Sequence, residues 1–102
     1  MYTIEMFRQI NKIENIVMTQ HSRIRLVERG ILINDIVKAI DNGEIIEDYE
    51  DDYPFPSCLI LGKSEEKAIH ICASINDNNI YLITAYIPDE NRWTDGFKKR
   101  VK

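Results

Sequence analysis

From Ser57 to Ile87 the chain runs through three β-type stretches, Ser57–Gly62, Ala68–Ile75 and Ile80–Ile87. They are divided only by Lys63-Ser64-Glu65-Glu66-Lys67 and Asn76-Asp77-Asn78-Asn79. Connections this short and polar join antiparallel neighbours, because a parallel pair needs a crossover of roughly a dozen residues or more. The stretch therefore predicts an antiparallel meander, ended by Pro88. Ile45-Ile46 with Tyr49 reads as a further strand that leads into an acidic, proline-containing segment from Glu47 to Pro56. Pro54 and Pro56 have no N–H for a ladder, so this segment belongs at a sheet edge or over the surface.

Ahead of the meander the spacing is helical. Ile4, Phe7, Ile10 and Ile13 after Thr3 predict a first amphipathic helix over about residues 3–14. Ile16-Val17-Met18 is a strand or a link. Thr19 opens a second helix and Gly30 closes it, with Ile24, Val27 and then Ile31 expected in the buried stripe. Asn34 is expected to cap a third helix, with Ile36, Val37 and Ile40 inward and Asn42-Gly43 as its stop. Helices first and a meander after them give an α+β fold, with N-terminal helices on one face of a small antiparallel sheet of about four strands. At 102 residues one domain, 1–102, is expected.

No apolar run approaches the roughly 20 residues of a membrane helix. The start, Met1-Tyr2-Thr3-Ile4-Glu5, has no basic stretch leading into an apolar core, so a cytoplasmic domain without a membrane partner is expected. Cys58 and Cys72 lie in apolar stretches and read as reduced packing residues. Neither C-x2-C nor H-x3–5-H occurs, so no metal site and no cofactor is predicted.

Three features carry chemistry. His21, Arg25 and Arg29 recur every four residues and share one helical stripe, drifting about 40° per step. Guanidiniums in a row suit phosphate oxygens; the same residues also make an ordinary solvated face, with Glu28 as a partner. His70 sits in the otherwise apolar or small run Ile69-His70-Ile71-Cys72-Ala73. Alternation puts it with Cys72 and Ser74 on the face away from Ile69, Ile71, Ala73 and Ile75. Its neighbour on the next strand depends on register. A three-residue loop sets Tyr86 opposite, whereas a two- or four-residue loop sets Ala85 there. A structural histidine bonded within the sheet fits the same pattern.

The third feature is the end, Lys98-Lys99-Arg100-Val101-Lys102, preceded by Trp93 and Phe97. Basic groups beside aromatics suit RNA, though a frayed terminus looks the same. The net charge is −4, opposite in sign to a usual nucleic-acid binder. Glu44, Glu47, Asp48, Glu50, Asp51 and Asp52 hold six acids in nine residues; without them 13 basic residues face 11 acidic ones. The charge is thus segregated, and the acidic block either leaves a cationic face open or lies across it.

His21-Ser22-Arg23-Ile24-Arg25, Glu28-Arg29-Gly30-Ile31, Asn42-Gly43, Ile45-Ile46-Glu47-Asp48-Tyr49 and Tyr53-Pro54-Phe55-Pro56-Ser57-Cys58-Leu59 occur in order. Ile69-His70-Ile71, Tyr86-Ile87-Pro88-Asp89, Trp93 and Phe97-Lys98-Lys99-Arg100 follow. Together, over about residues 16–100, they resemble an uncharacterised bacterial family of unknown function whose members often lie beside small zinc-finger antitoxins. That family is distantly similar to RelE- and MqsR-like messenger-RNA-cleaving toxins. Ala68-Ile69 departs from the proline and leucine that the family often has before its histidine.

The resemblance implies a RelE-like fold and a metal-independent endoribonuclease acting as the toxin of a toxin–antitoxin pair. Its partners would be RNA, including ribosome-associated messenger RNA, and a zinc-finger antitoxin. The reaction expected is attack of a 2′-hydroxyl on the adjacent phosphate. His21 and His70 would share the acid and base tasks in either order, and Arg25 and Arg29 would hold the phosphate. Tyr86 would orient a histidine or donate a proton. Trp93 would stack a base, with Lys98 and Arg100 also on the substrate. The rival readings are a non-catalytic binding domain for RNA or an acidic protein segment on the same face, a structural partner or homodimer, and a metalloenzyme.

Overall fold

The structure is a computed structural model that describes all residues, 1–102. Its helices are α1 (Ile4–Gln9), α2 (Gln20–Glu28) and α3 (Ile33–Asp41). Its strands are β1 (Ile16–Val17), β2 (Glu44–Tyr49), β3 (Ser57–Ser64), β4 (Lys67–Asn76), β5 (Asn79–Tyr86), β6 (Trp93–Thr94) and β7 (Lys99–Arg100). The meander forms as expected, β2 to β5 in antiparallel succession, and the fold is α+β. The sheet has five strands in the order β1-β5-β4-β3-β2, not about four, and it is mixed because β1 pairs parallel with β5. The C-terminal residues add a separate β6–β7 hairpin.

One face of the sheet meets the helices. Cys58 and Ile60 of β3, Ile69, Ile71 and Ala73 of β4, and Ile80, Leu82 and Ala85 of β5 form one core with Phe7, Leu26, Ile31, Ile36, Ala39 and Ile40. α3 crosses β3 so closely that a Cβ on Gly62 would stand 1.9 Å from the Ala39 carbonyl oxygen. Only glycine permits that approach. Asp35 accepts the Leu32 N–H (2.8 Å) at the start of α3, two residues ahead of the expected Asn34 cap, and Asn42 ends it by bonding the Lys38 carbonyl (2.8 Å).

Two expectations for the first helices need correction. The helix expected over 3–14 stops at Gln9 and resumes only as a 3-10 turn at Ile13–Asn15. Asn11 turns away to donate to the Val37 carbonyl and the Asp41 carboxylate, both at 2.8 Å, and Asn15 takes up the Ile10 carbonyl (3.1 Å). In α2 the ends are as predicted: Thr19 accepts the Ser22 N–H (3.1 Å), and Gly30 takes a left-handed φ of 68°. Ile31 N–H then reaches the Leu26 carbonyl (3.0 Å), closing the helix end. The buried face is different. Ile24 and Val27 are exposed, at 50% and 77%, while Ser22 and Leu26 are buried. The cause lies in β1, which pairs with β5 only at Ile80 and Tyr81 and leaves the far half of that edge free. Carbonyls there need donors. Ser22 Oγ supplies one to Ile83 (2.8 Å) and the Arg29 guanidinium one to Ala85 (2.8 Å), so polar residues turn toward the sheet.

Candidate functional site

His70 projects from β4 onto the sheet face away from the helices, as alternation predicts, and it is wholly buried. Tyr86 lies opposite it. The β4–β5 turn holds two residues, Asp77 and Asn78, both with positive φ (51° and 61°), so simple counting would place Ala85 there. A β-bulge at Ile83 adds the missing residue and restores Tyr86 to the partner position. A second bulge, at Ile46 in β2, turns Glu47 and Tyr49 toward the same face. Regular alternation after Glu44 would have turned Ile46 and Asp48 there instead.

The cover over His70 comes from the C-terminal segment. The Phe97 carbonyl accepts from His70 Nε2 (2.8 Å), which leaves Nδ1 unprotonated as the acceptor of the Tyr86 hydroxyl (3.2 Å). Trp93 packs edge-on against the imidazole with centroids 4.4 Å apart. Arg100 lies over Trp93, 4.8 Å from its ring centre, and grips Glu47 with Nε and an Nη at 3.0 Å each. Tyr49 hydrogen-bonds Glu47 and meets Arg100 at 3.4 Å. Lys98 reaches Glu44 at 3.3 Å. Part of the acidic block therefore lies against the basic tail and occupies two of its cations.

Burial sets the protonation states. It pulls the His70 pKa below its usual value, partly offset by the Phe97 carbonyl, so the imidazole is neutral at pH 7. It raises the Tyr86 pKa, keeping that phenol protonated. Burial also pushes Glu47 upward, but the Arg100 and Tyr49 hydrogen bonds outweigh it and hold the carboxyl low. Tyr49 is pushed up to about 12 by burial and by Glu47.

Beside this layer is an open cleft of about 570 Å³ lined by Tyr86, Asp89, Arg92, Trp93 and Arg100 among others. Arg92 and Arg100 are both exposed. The predicted site residues divide into two groups. His70, Tyr86, Trp93 and Arg100 come together. His21 is exposed in the first turn of α2, and Arg25, half exposed, lies 3.7 Å from Glu28. Neither touches His70, whose polar partners are Tyr86 and Phe97. Arg29 stands between the groups, donating to Thr84 Oγ1 (3.1 Å) and the Ala85 carbonyl. Lys98 is turned to Glu44, and Trp93, 7% exposed, already carries Arg100 over its ring. Sequence reasoning missed Glu47, Tyr49, Arg92 and the Phe97 carbonyl. The first two are hidden by the bulge, and a carbonyl has no residue-type signal at all.

The arrangement defines an α+β domain with a polar layer closed beneath a terminal hairpin. The family model described as Domain of unknown function (DUF4258) matches residues 18–87, and the chain belongs to that family. The match takes in α2 through β5, leaving α1 and the Trp93–Arg100 hairpin outside it. Comparisons with curated proteins and with solved structures give no match. No helix is long and apolar enough to cross a membrane.

Proposed function

We propose that this protein is the toxin of a toxin–antitoxin pair, an endoribonuclease of RelE-like type that binds RNA in the Tyr86–Arg92–Trp93–Arg100 cleft. The observation that carries the reading is that Tyr86, a residue of the cleft wall, has its hydroxyl hydrogen-bonded to Nδ1 of a buried histidine. Tyr86, rather than His70, then meets the substrate. Its oxygen accepts the 2′-hydroxyl proton as its own proton passes to His70 Nδ1, where the Phe97 carbonyl and Glu47 balance the imidazolium. The 2′-oxygen bonds to phosphorus and the P–O5′ bond breaks, with the 5′-oxygen taking a proton from solvent. The products are a cyclic phosphate and a 5′-hydroxyl end. Arg92 and Arg100 hold the phosphate and its developing charge. His21 and Arg25 take no part in this chemistry. The toxin role and a zinc-finger antitoxin as partner come from the sequence resemblance.

The test is expression of the chain alone, with the purified protein then assayed on RNA. Wild-type protein stops growth and yields 5′-hydroxyl fragments. Tyr86→Phe loses cleavage by about a hundredfold or more while still binding RNA. An intact RNA pool with wild-type protein, or full cleavage by Tyr86→Phe, overturns the proposal.

A second reading, a non-catalytic RNA-binding domain, is favoured by one observation: both His70 nitrogens are already bonded and the ring is fully buried. It predicts RNA binding without cleavage in the wild type, unchanged in Tyr86→Phe.

A further inference from the structure

We propose that Glu47 occupies the phosphate position on Arg100 in the free protein, so that RNA binds by exchanging a phosphodiester for this carboxylate. The proposal rests on the RNA-binding reading of the cleft and adds its regulation. A bidentate fork on Arg100 matches carboxylate and phosphate alike, and here Glu47 fills it through two contacts of 3.0 Å. The two partners differ in how they are held. Glu47 is fixed on β2, turned inward by the bulge at Ile46 and hydrogen-bonded by Tyr49. Arg100 is 61% exposed, on a two-residue strand of the terminal hairpin and in the wall of the cleft. The guanidinium also lies on the Trp93 ring, 4.8 Å from its centre, so it keeps a support when its carboxylate partner is exchanged.

The hairpin is held to the sheet by the buried Trp93 ring against His70 and by three polar contacts: Arg100 with Glu47, Lys98 with Glu44, and the Phe97 carbonyl with His70. Arg100, the exposed partner of the more buried Glu47, and the Lys98–Glu44 pair, open on both sides, can exchange a carboxylate for another anion. RNA that captures Arg100 therefore releases one of the three polar ties of the cover, while Trp93 stays packed on His70. The negative edge strand thus becomes a selector. A ligand must outcompete a built-in carboxylate, which favours a polyanion, held also by Arg92, over a lone anion such as inorganic phosphate.

The experiment titrates full-length protein with a short single-stranded RNA carrying 2′-O-methyl groups, which lacks the attacking hydroxyl. Glu47→Ala is compared with Asp51→Ala, a charge-matched change in the exposed β2–β3 connection. Glu47→Gln serves as the shape-conserving second variant. Removing the competitor tightens binding about tenfold relative to Asp51→Ala, the worth of one charge-assisted hydrogen-bonded contact. Adding Arg100→Ala to Glu47→Ala cancels the gain. Trp93 is the single tryptophan, so its emission reports the hairpin, and acrylamide quenches it more readily in Glu47→Ala than in the wild type. Equal affinities for the Glu47 and Asp51 variants, a gain that survives Arg100→Ala, or no RNA binding by any variant overturns the proposal. Because the RNA is uncleavable, failure of the nuclease chemistry alone leaves this result standing.

Discussion

His70 joins two jobs at the residue scale. Its nitrogens bond a strand tyrosine and a hairpin carbonyl, so it fastens the C-terminal cover while orienting Tyr86. His70→Ala empties a fully buried ring position and leaves the partly buried Tyr86 hydroxyl and Phe97 carbonyl without this partner, and is expected to cost about 2–4 kcal/mol in denaturant unfolding. The pH dependence follows from its lowered pKa. Between the folded value and about 6.5 the unfolded chain binds the extra proton and the folded chain does not. The His70 contribution is therefore complete above pH 6.5 and declines as pH falls toward the folded value. Glu47, with its carboxyl held low, adds a further loss when it protonates at more acid pH. Unfolding midpoints should drop between pH 7 and pH 5 in the wild type and change less in His70→Gln. A flat wild-type profile over that interval would contradict the assignment. The histidine itself was legible in the sequence, as the lone polar ring in an apolar strand. Its complete burial was not, because the cover arrives from residues 23 to 30 positions later.

Elements aim the site through two bulges. The pattern of alternation identified all four meander strands and the face that His70 occupies, yet each bulge shifts alternation by one residue without changing composition. Tyr86 opposite His70 and Glu47 beneath Arg100 both depend on such a shift. α2 shows the same limit differently. Its caps at Thr19 and Gly30 were readable because capping is local chemistry, whereas its inward face was set by free carbonyls on β5, a tertiary demand. Replacing Ser22 with Ala strands the Ile83 carbonyl and should cost about 1–2 kcal/mol, more than an exposed serine would. Gly62→Ala should be worse, about 3 kcal/mol or more, because the new methyl meets the Ala39 backbone rather than a movable side chain. Thermal unfolding of both variants checks the order; a Gly62→Ala protein as stable as the wild type would contradict the α3–β3 approach.

The whole molecule explains how a chain of net charge −4 can still present cations. The acids concentrated on β2 and its following connection were visible in the sequence, as was the basic C-terminus. Their contact was not, since it depends on the sheet order that sets β2 at one edge beneath the hairpin. Lys98 and Arg100 are thereby partly spent internally, leaving Arg92 open to a ligand and Arg100 open to one that displaces Glu47. RNA affinity should accordingly fall only gently with salt, with a log–log slope near −1.4 for about two phosphate contacts, at roughly −0.7 each. A far steeper slope would mean that a larger basic surface, such as α2, is engaged.

The central claim is that function resides where the terminal hairpin meets Tyr86, not on the α2 face that the H-x3-R-x3-R spacing first singles out. Backbone and side-chain NMR shifts during titration with uncleavable RNA test it most directly. The account predicts perturbations at Tyr86, Arg92, the Trp93 indole and Arg100, with His21, Arg23 and Arg25 silent. Shifts confined to α2, with the Trp93 indole unmoved, would contradict it.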